Sequence, residues 1–228
     1  MKVLVLNGSP KEKSDTMVLT NAFLDGMQPT EHEITCVQIA EKNIKNCQGC
    51  LSCWIRQDGH CIMQDDDMNE LLDTIVASDM IIWSFPLYFH SVPAPLKAVI
   101  DRTNPFLKIS MKSDGKSVQH DKIVDLSAKK NVVITGCGFP YYPDNFAPLK
   151  LQMKNILGRP EMICVYETPL LNMGIPAVAP LKANLIAQFT AAGAEYMRQG
   201  KLSDNTLQLL EKPMLPAEMY INTINQIK

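Results

Sequence analysis

The sequence has no apolar run long enough to span a bilayer; its longest apolar stretches are the length of a β-strand. It also lacks a charge surplus. Twenty-two lysines and arginines against 24 acids leave a formal net charge of −2, spread along the chain. A nucleic acid or an anionic membrane would need a basic face, and the sequence presents none. Internal repeats and low-complexity tracts are absent. There is no Gly-x-Gly-x-x-Gly turn, so no dedicated dinucleotide fingerprint. No nucleophile–base pair stands out. Met1 and Lys2 lead straight into the first apolar run, which leaves no room for a signal peptide ahead of it. The expectation is a soluble, cytoplasmic protein with no nucleic-acid or membrane partner. In such a chain the seven cysteines point away from structural disulfides and toward metal binding or redox work.

What is present describes an α/β chain. At 228 residues and 46% hydrophobic content, one domain with a sizeable core is expected. The thirteen methionines suit an adaptable core or apolar pocket walls. Continuous apolar runs at residues 2–6, 80–84, 131–135 and 162–166 predict strands buried on both faces. Residues 33–39, polar on one side, predict a strand at or near an edge. Helical patterns fall at 14–26, 66–77, 95–102, 145–157 and 180–198, with two short ones at 203–210 and 216–227. Alternation of this kind gives a doubly wound, five-stranded parallel sheet in the order 2-1-3-4-5, with helices on both faces. Residues 104–130 interrupt the rhythm and suggest a hairpin. The predicted organisation is a single domain over 1–228, with a core over about 1–170 and a C-terminal helical extension over about 179–228.

A sheet of this order binds ligands outside the carboxyl ends of its central strands. The first strand runs into Asn7-Gly8-Ser9-Pro10-Lys11 and then Ser14-Asp15-Thr16 at a helix start. Hydroxyls, free N–H groups, the helix dipole and Lys11 together make a phosphate cradle. The same residues also serve an ordinary strand–turn–helix connection with Ser14 as N-cap, and the segment alone does not choose. The third strand leads into Pro86-Leu87-Tyr88-Phe89-His90, stiff and aromatic, and the fourth into Thr135-Gly136-Cys137-Gly138. The glycines would allow close approach to a flat ring. Phosphate site and ring slot would then meet at one edge.

A second constellation is Cys47, Cys50, Cys53 and Cys61, spaced C-x2-C-x2-C-x7-C. Structural zinc more often uses two separated C-x2-C knuckles; compact spacing is closer to iron–sulfur ligation. Three readings stay open: a cluster, free or transiently oxidised thiols, and, a distant third, zinc. Cys36 and Cys164 lie within strands and are expected to be buried packing residues. His32, His60 and His120 read as surface or loop residues. Asp101-Arg102 ends a helix, where an ion pair or a dimer contact is the default. Residues 139–146, rich in Tyr and Pro, form either a lid or a plain surface loop.

The Gly8-Ser9-Pro10-Lys11…Ser14-Asp15-Thr16 segment, the Pro86-Leu87-Tyr88 turn and the run 96–102 together resemble the flavodoxin-like NAD(P)H-dependent FMN reductases. With the four-cysteine motif ahead of Asp66-Asp67-Met68, the branch is similar to the iron–sulfur flavoproteins. The resemblance covers roughly residues 1–140. It implies that Ser9, Lys11, Ser14 and Thr16 hold the FMN phosphate, and that Pro86, Leu87, Tyr88 and Phe89 lie along the isoalloxazine. Thr135, Gly136, Cys137 and Gly138 would close the other side, and His90 would donate to flavin or substrate or make a structural hydrogen bond. The family usually has Asn where this chain has Asp15, so Asp15 would contribute through its backbone amide. The implied activity is hydride transfer from NAD(P)H through FMN to a small acceptor such as a quinone or flavin, by a ping-pong route. One alternative is an electron carrier with a 4Fe-4S cluster on the four cysteines and a redox protein as partner; another is a thiol or zinc sensor. The family also implies a homodimer or homotetramer.

Overall fold

The structure is a computed structural model, and it describes residues 1–226. Seven strands form: β1 (Lys2–Asn7), β2 (Glu33–Gln38), β3 (Met80–Pro86), β4 (Leu107–Ser113), β5 (Val118–Lys122), β6 (Lys130–Gly136) and β7 (Glu161–Val165). The helices are α1 (Asp15–Gly26), α2 (Ser52–Arg56), α3 (Met68–Ala77), α4 (Ala94–Asp101), α5 (Ala147–Leu157), α6 (Ala179–Gln199), α7 (Asp204–Leu210) and α8 (Ala217–Asn225). The main sheet runs β2-β1-β3-β6-β7, all parallel. Without the separate β4–β5 antiparallel hairpin, this is the expected 2-1-3-4-5 order. The hairpin occupies the predicted excursion. The last predicted helix extends to Ile227, which lies outside the described residues. Among the described residues no helix is long and apolar enough to cross a membrane.

The central strands read as unbroken apolar runs because both faces are covered. Val3 and Val5 of β1 join one core cluster with residues of α1 and α6. Leu4 and Leu6, pointing the other way, join a second cluster with α3, α4 and α5. Trp83 and Phe85 are fully buried in that second layer. The Trp83 indole N–H needs a partner there, and it donates to Asn131 Oδ1 at 3.1 Å. On the other face α1 and α6 cross at Gly26 and Gly193. A Cβ on Gly193 would fall 1.9 Å from the Phe23 carbonyl oxygen. The two backbones therefore touch where a side chain would hold them apart.

β2 is one of the two edge strands of the sheet, as expected, but the reading of Cys36 is corrected. Cys36 is exposed rather than a packing residue, because no strand lies beyond β2 and half of that strand faces solvent. Cys164 is buried as expected.

Candidate active site

The rim at the carboxyl ends of the strands is held together by backbone hydrogen bonds that continue the ladder into the loops. Gly8 N–H donates to Ser84 O at 2.8 Å and Leu87 N–H to Gly136 O at 2.7 Å. Cys137 N–H donates to Val165 O at 2.9 Å, and Thr168 N–H to Cys137 O at 3.1 Å. The first loop is fixed from the edge strand as well. Ser9 N–H donates to Asn7 Oδ1 at 3.1 Å, Asn7 Nδ2 to Gln38 Oε1, and Gln38 Nε2 to Ser9 O at 2.8 Å.

Ser14 is the N-cap of α1: its Oγ accepts from Met17 N–H at 3.2 Å and lies 3.1 Å from Thr16 Oγ1. Among the described residues no backbone acceptor takes the N–H of Lys13, Ser14, Asp15 or Thr16. These free donors at a helix start, with Lys11 exposed beside them, make a donor-lined concavity of the kind an anion needs. The N-cap reading of Ser14 holds. The Asp15 carboxylate accepts from Asn172 Nδ2, while its backbone N–H stays free. Burial pushes the Asp15 pKa up, against the opposing pull of Asn172, Lys11 and Lys182.

This concavity opens into a cleft of about 380 Å³. Its walls are Ser9, Lys11, Ser14, Asp15 and Thr16 on one side and Pro86 and Tyr88 on another. The third wall comes from beyond β7: Thr168, Pro169, Asn172 and Met173. Sequence reasoning missed that wall. Asn172 meets Asp15 across 157 positions, and no local spacing announces such a contact.

The other predicted residues sit around the cleft without lining it. Tyr88 and Ser91 exchange two backbone hydrogen bonds at 3.0 Å, closing a tight turn with Phe89 (φ 46°) and His90 (φ 62°) at its tip. Two successive positive φ angles match a type I′ turn, which glycine and asparagine ordinarily occupy. The Phe89 ring is fully exposed, at 101%. His90 Nδ1 donates to Asn145 O at 3.0 Å, so the ring is tied to the neighbouring loop. Leu87 is half-buried. Thr135 is wholly buried in β6, its Oγ1 without a partner. Gly136 packs under Thr168, and Gly138 is exposed. Cys137 is buried, and its Sγ accepts from Asn145 Nδ2 at 3.3 Å. Burial pushes this thiol up, which leaves a protonated packing residue rather than a nucleophile. In the loop 139–146, Phe139, Tyr141 and Tyr142 are exposed and Phe146 is buried.

The four motif cysteines lie together on the wall of a second pocket, with Trp54, Asn104 and Arg102. α2 sits inside the motif, bracketed by Leu51 (φ 59°) and Gln57 (φ 54°), two residues in the left-handed region. Such strain persists only where the surroundings over-determine it. Trp54, next to Cys53 in the chain, packs its ring at a tilt of 42° against His120, centroids 4.7 Å apart, and donates its indole N–H to Asn104 O at 3.1 Å. His120 lies on β5 and His60 Nε2 pairs with Asp73 at 2.8 Å. The Ser52 hydroxyl pulls the Cys50 pKa down, whereas burial, reinforced by Cys61, pushes Cys53 up. Among the described residues no three His, Cys, Asp or Glu side chains converge on a single ion position. Arg102 pairs with Asp66 through buried side chains, so the ion pair expected near 101–102 exists, with its partner 36 positions away.

Comparison with known proteins agrees with this geometry. An iron–sulfur flavoprotein of Methanocaldococcus jannaschii is 33% identical over 105 residues, covering 46% of this chain and 53% of the relative. One from Archaeoglobus fulgidus is 34% identical over 106 residues, covering 46% and 47%. The chain thus spans about half the length of the curated relatives it matches. Among solved structures, an NAD(P)H:quinone oxidoreductase from Methanothermobacter marburgensis superposes with a TM-score of 0.60 at 16% identity, covering 86% of this chain and 96% of the other. An FMN-dependent NADH-azoreductase from Bacillus anthracis, solved in complex with FMN, gives 0.59 at 16% identity, covering 86% and 99%. At such identity the likeness concerns the fold: both share the doubly wound sheet. The match that decides the family is to residues 1–138, more than half of the chain, and by it the protein belongs to the NADPH-dependent FMN reductase family.

Proposed function

We propose that the chain is an FMN-dependent oxidoreductase that takes hydride from NAD(P)H and reduces a small acceptor such as a quinone or a flavin. The observation that carries this reading is the junction of the Ser9–Thr16 donors with the Pro86–Tyr88 wall in one cleft at the sheet's switch point. The donor chemistry fits a singly phosphorylated ligand: free N–H groups, two hydroxyls and a lysine at one end, a flat apolar wall at the other. When bound, FMN supplies the hydride chemistry.

The chain's own residues do the rest. Ser14 and Thr16 hydroxyls and the first-turn N–H groups hold the phosphate, with Lys11 adding charge. Gln38 and Asn7 keep the Ser9 turn in register. Pro86 and Tyr88 present a stiff edge to the ring, with Leu87 pinned behind them to Gly136, and the Asp15–Asn172 hydrogen bond keeps the third wall against the cradle. With no second nucleotide turn in the sequence, donor and acceptor would use the same open face in succession, which gives ping-pong kinetics. An open face of this kind favours a homodimer or homotetramer that walls it off.

The test is binding selectivity. The purified chain is expected to bind FMN at least ten-fold more tightly than riboflavin. Lys11→Ala should narrow that gap, because it removes a phosphate contact and leaves the ring wall alone. Bound flavin should bleach when NADH or NADPH is added anaerobically. Equal affinity for FMN and riboflavin, or no binding of either, would sink the reading.

A second reading is favoured by the cysteine pocket: a 4Fe-4S cluster on Cys47, Cys50, Cys53 and Cys61, serving electron transfer to a redox protein. Its support is the shared wall of four sulfurs with a buried cation beside them. The M. jannaschii and A. fulgidus relatives carry the name iron–sulfur flavoprotein.

A further inference from the structure

Arg102 takes no part in the flavin cleft. Its side chain is 1% exposed, and it forms part of the wall of the four-cysteine pocket. Three of its hydrogen bonds are accounted for. Nη1 donates to Asp66 Oδ2 at 2.6 Å and to Lys45 O at 2.8 Å, and Nη2 donates to Asp66 Oδ1 at 3.1 Å. Nε–H finds no acceptor among the described residues. A buried, unpaired N–H on a charged group bears a full desolvation penalty, and it persists where another partner offsets that cost.

Arg102 lines the pocket and Asp66 does not, so the carboxylate offsets only part of the cation's field there. Its Oδ2 also accepts from Lys45 N–H at 3.0 Å and its Oδ1 from Met68 N–H at 3.2 Å. The carboxylate thus ties Lys45, just before Cys47, to the start of α3 at Met68, on the far side of the cysteine loop. A guanidinium stays charged at any physiological pH, and here it is hydrogen-bonded to a carboxylate as well. If the four cysteines held an iron–sulfur centre as thiolates, they would concentrate negative charge there, and reduction would add one more electron. A buried cation on the same wall favours the anionic, reduced form.

We propose that Arg102 is the charge-compensating positioning residue of the four-cysteine pocket, holding the loop through Asp66 and raising the reduction potential of an iron–sulfur centre bound there. This rests on the cluster reading above. Charge and scaffold roles separate by sign. Asp66→Asn keeps an acceptor for Arg102 but removes the opposing carboxylate, so it should raise the midpoint potential. Asp66→Asn combined with Arg102→Met removes both charges and leaves no lone buried ion, so it should lower the potential. Arg102→Lys keeps the cation and should stay near wild type.

The experiment is anaerobic reconstitution of the full chain with ferrous iron and sulfide. Iron and sulfide per chain are measured, then the midpoint potential by dithionite titration, with far-ultraviolet circular dichroism as the check on folding. Wild type and Arg102→Lys should load to the same extent. Opposite shifts in the other two variants would carry the proposal. Shifts of one sign, or none, would overturn the role of Arg102 and leave the cluster reading standing. Should the double variant fail to fold, Asp66→Asn decides alone: an unchanged or lowered potential overturns the proposal. A wild-type chain that takes up no iron and sulfide overturns both.

Discussion

Glu167 follows β7 with φ at +60° and its side chain fully buried. One carboxylate oxygen accepts from Leu215 N–H at 2.9 Å, while the other has no partner. Burial pushes its pKa up from the ordinary 4.5, against the Leu215 and Met214 amides. Over the window from 4.5 upward to the folded pKa, the native chain binds more protons than the unfolded one, so this group lowers stability as pH rises. Glu167→Gln has no charge to bury. Melting temperatures measured across pH should move in the variant's favour as pH climbs above 4.5. Parallel curves for the two proteins would refute this account. Asp66 has the opposite sign: despite burial, Arg102 and two backbone amides hold its carboxyl below the ordinary 3.8. Its contribution is present above that value and is lost as pH falls through the folded pKa.

At the scale of elements, the crossing of α1 and α6 rests on two absent side chains. A Cβ on Gly26 would stand 1.8 Å from Thr190 O, and one on Gly193 1.9 Å from Phe23 O. Alanine in place of glycine favours a helix by about 1 kcal/mol. Forced overpacking typically costs about 1–3 kcal/mol, and contact with rigid backbone gives no side chain to swing aside. Sterics should win, so Gly193→Ala is expected to lower stability by roughly 1–2 kcal/mol in a urea titration. A neutral or stabilising result would mean the helices separate without cost. Element legibility varied for physical reasons. The buried strands were readable because coverage on both faces demands unbroken apolar runs. α2 was not, since a five-residue helix makes barely one turn and has no periodicity to detect. The start of α3 was misjudged by two residues: Asp66 reads as a first-turn acid, but it lies outside the helix and serves Arg102 instead.

The whole molecule depends on its C-terminal segment more than the family match suggests. That match ends at residue 138, yet β7 and the third wall of the cleft lie beyond it. Leu202 and Leu210 are buried in the core cluster that holds β7 and α6. Tyr220 Oη donates to Gly138 O at 2.6 Å, and Glu167 holds Leu215, so α8 is pinned to two rim loops. Each buried leucine contributes about 1.5–3 kcal/mol. Two of them are a large share of a typical stability of about 5–15 kcal/mol. A chain ending at residue 200 should therefore melt at a lower temperature and bind FMN more weakly. An unchanged melt would show that the extension is a separable unit.

Sequence alone determined the sheet, its strand order, the Ser14 cap at the first helix start and the close spacing of the four cysteines, because each is written in contiguous residues whose period or spacing expresses its physics. Periodicity reports burial on a face, and a serine ahead of an apolar helical pattern reports a cap. Which residues complete those sites was decided only by tertiary structure. Asn172 reaches Asp15, Gln38 braces Ser9, and Arg102 closes the cysteine pocket through Asp66, each across a gap that no local pattern spans. Contacts between distant segments depend on how the layers pack, and a linear pattern records which face a residue turns inward but not what it meets there.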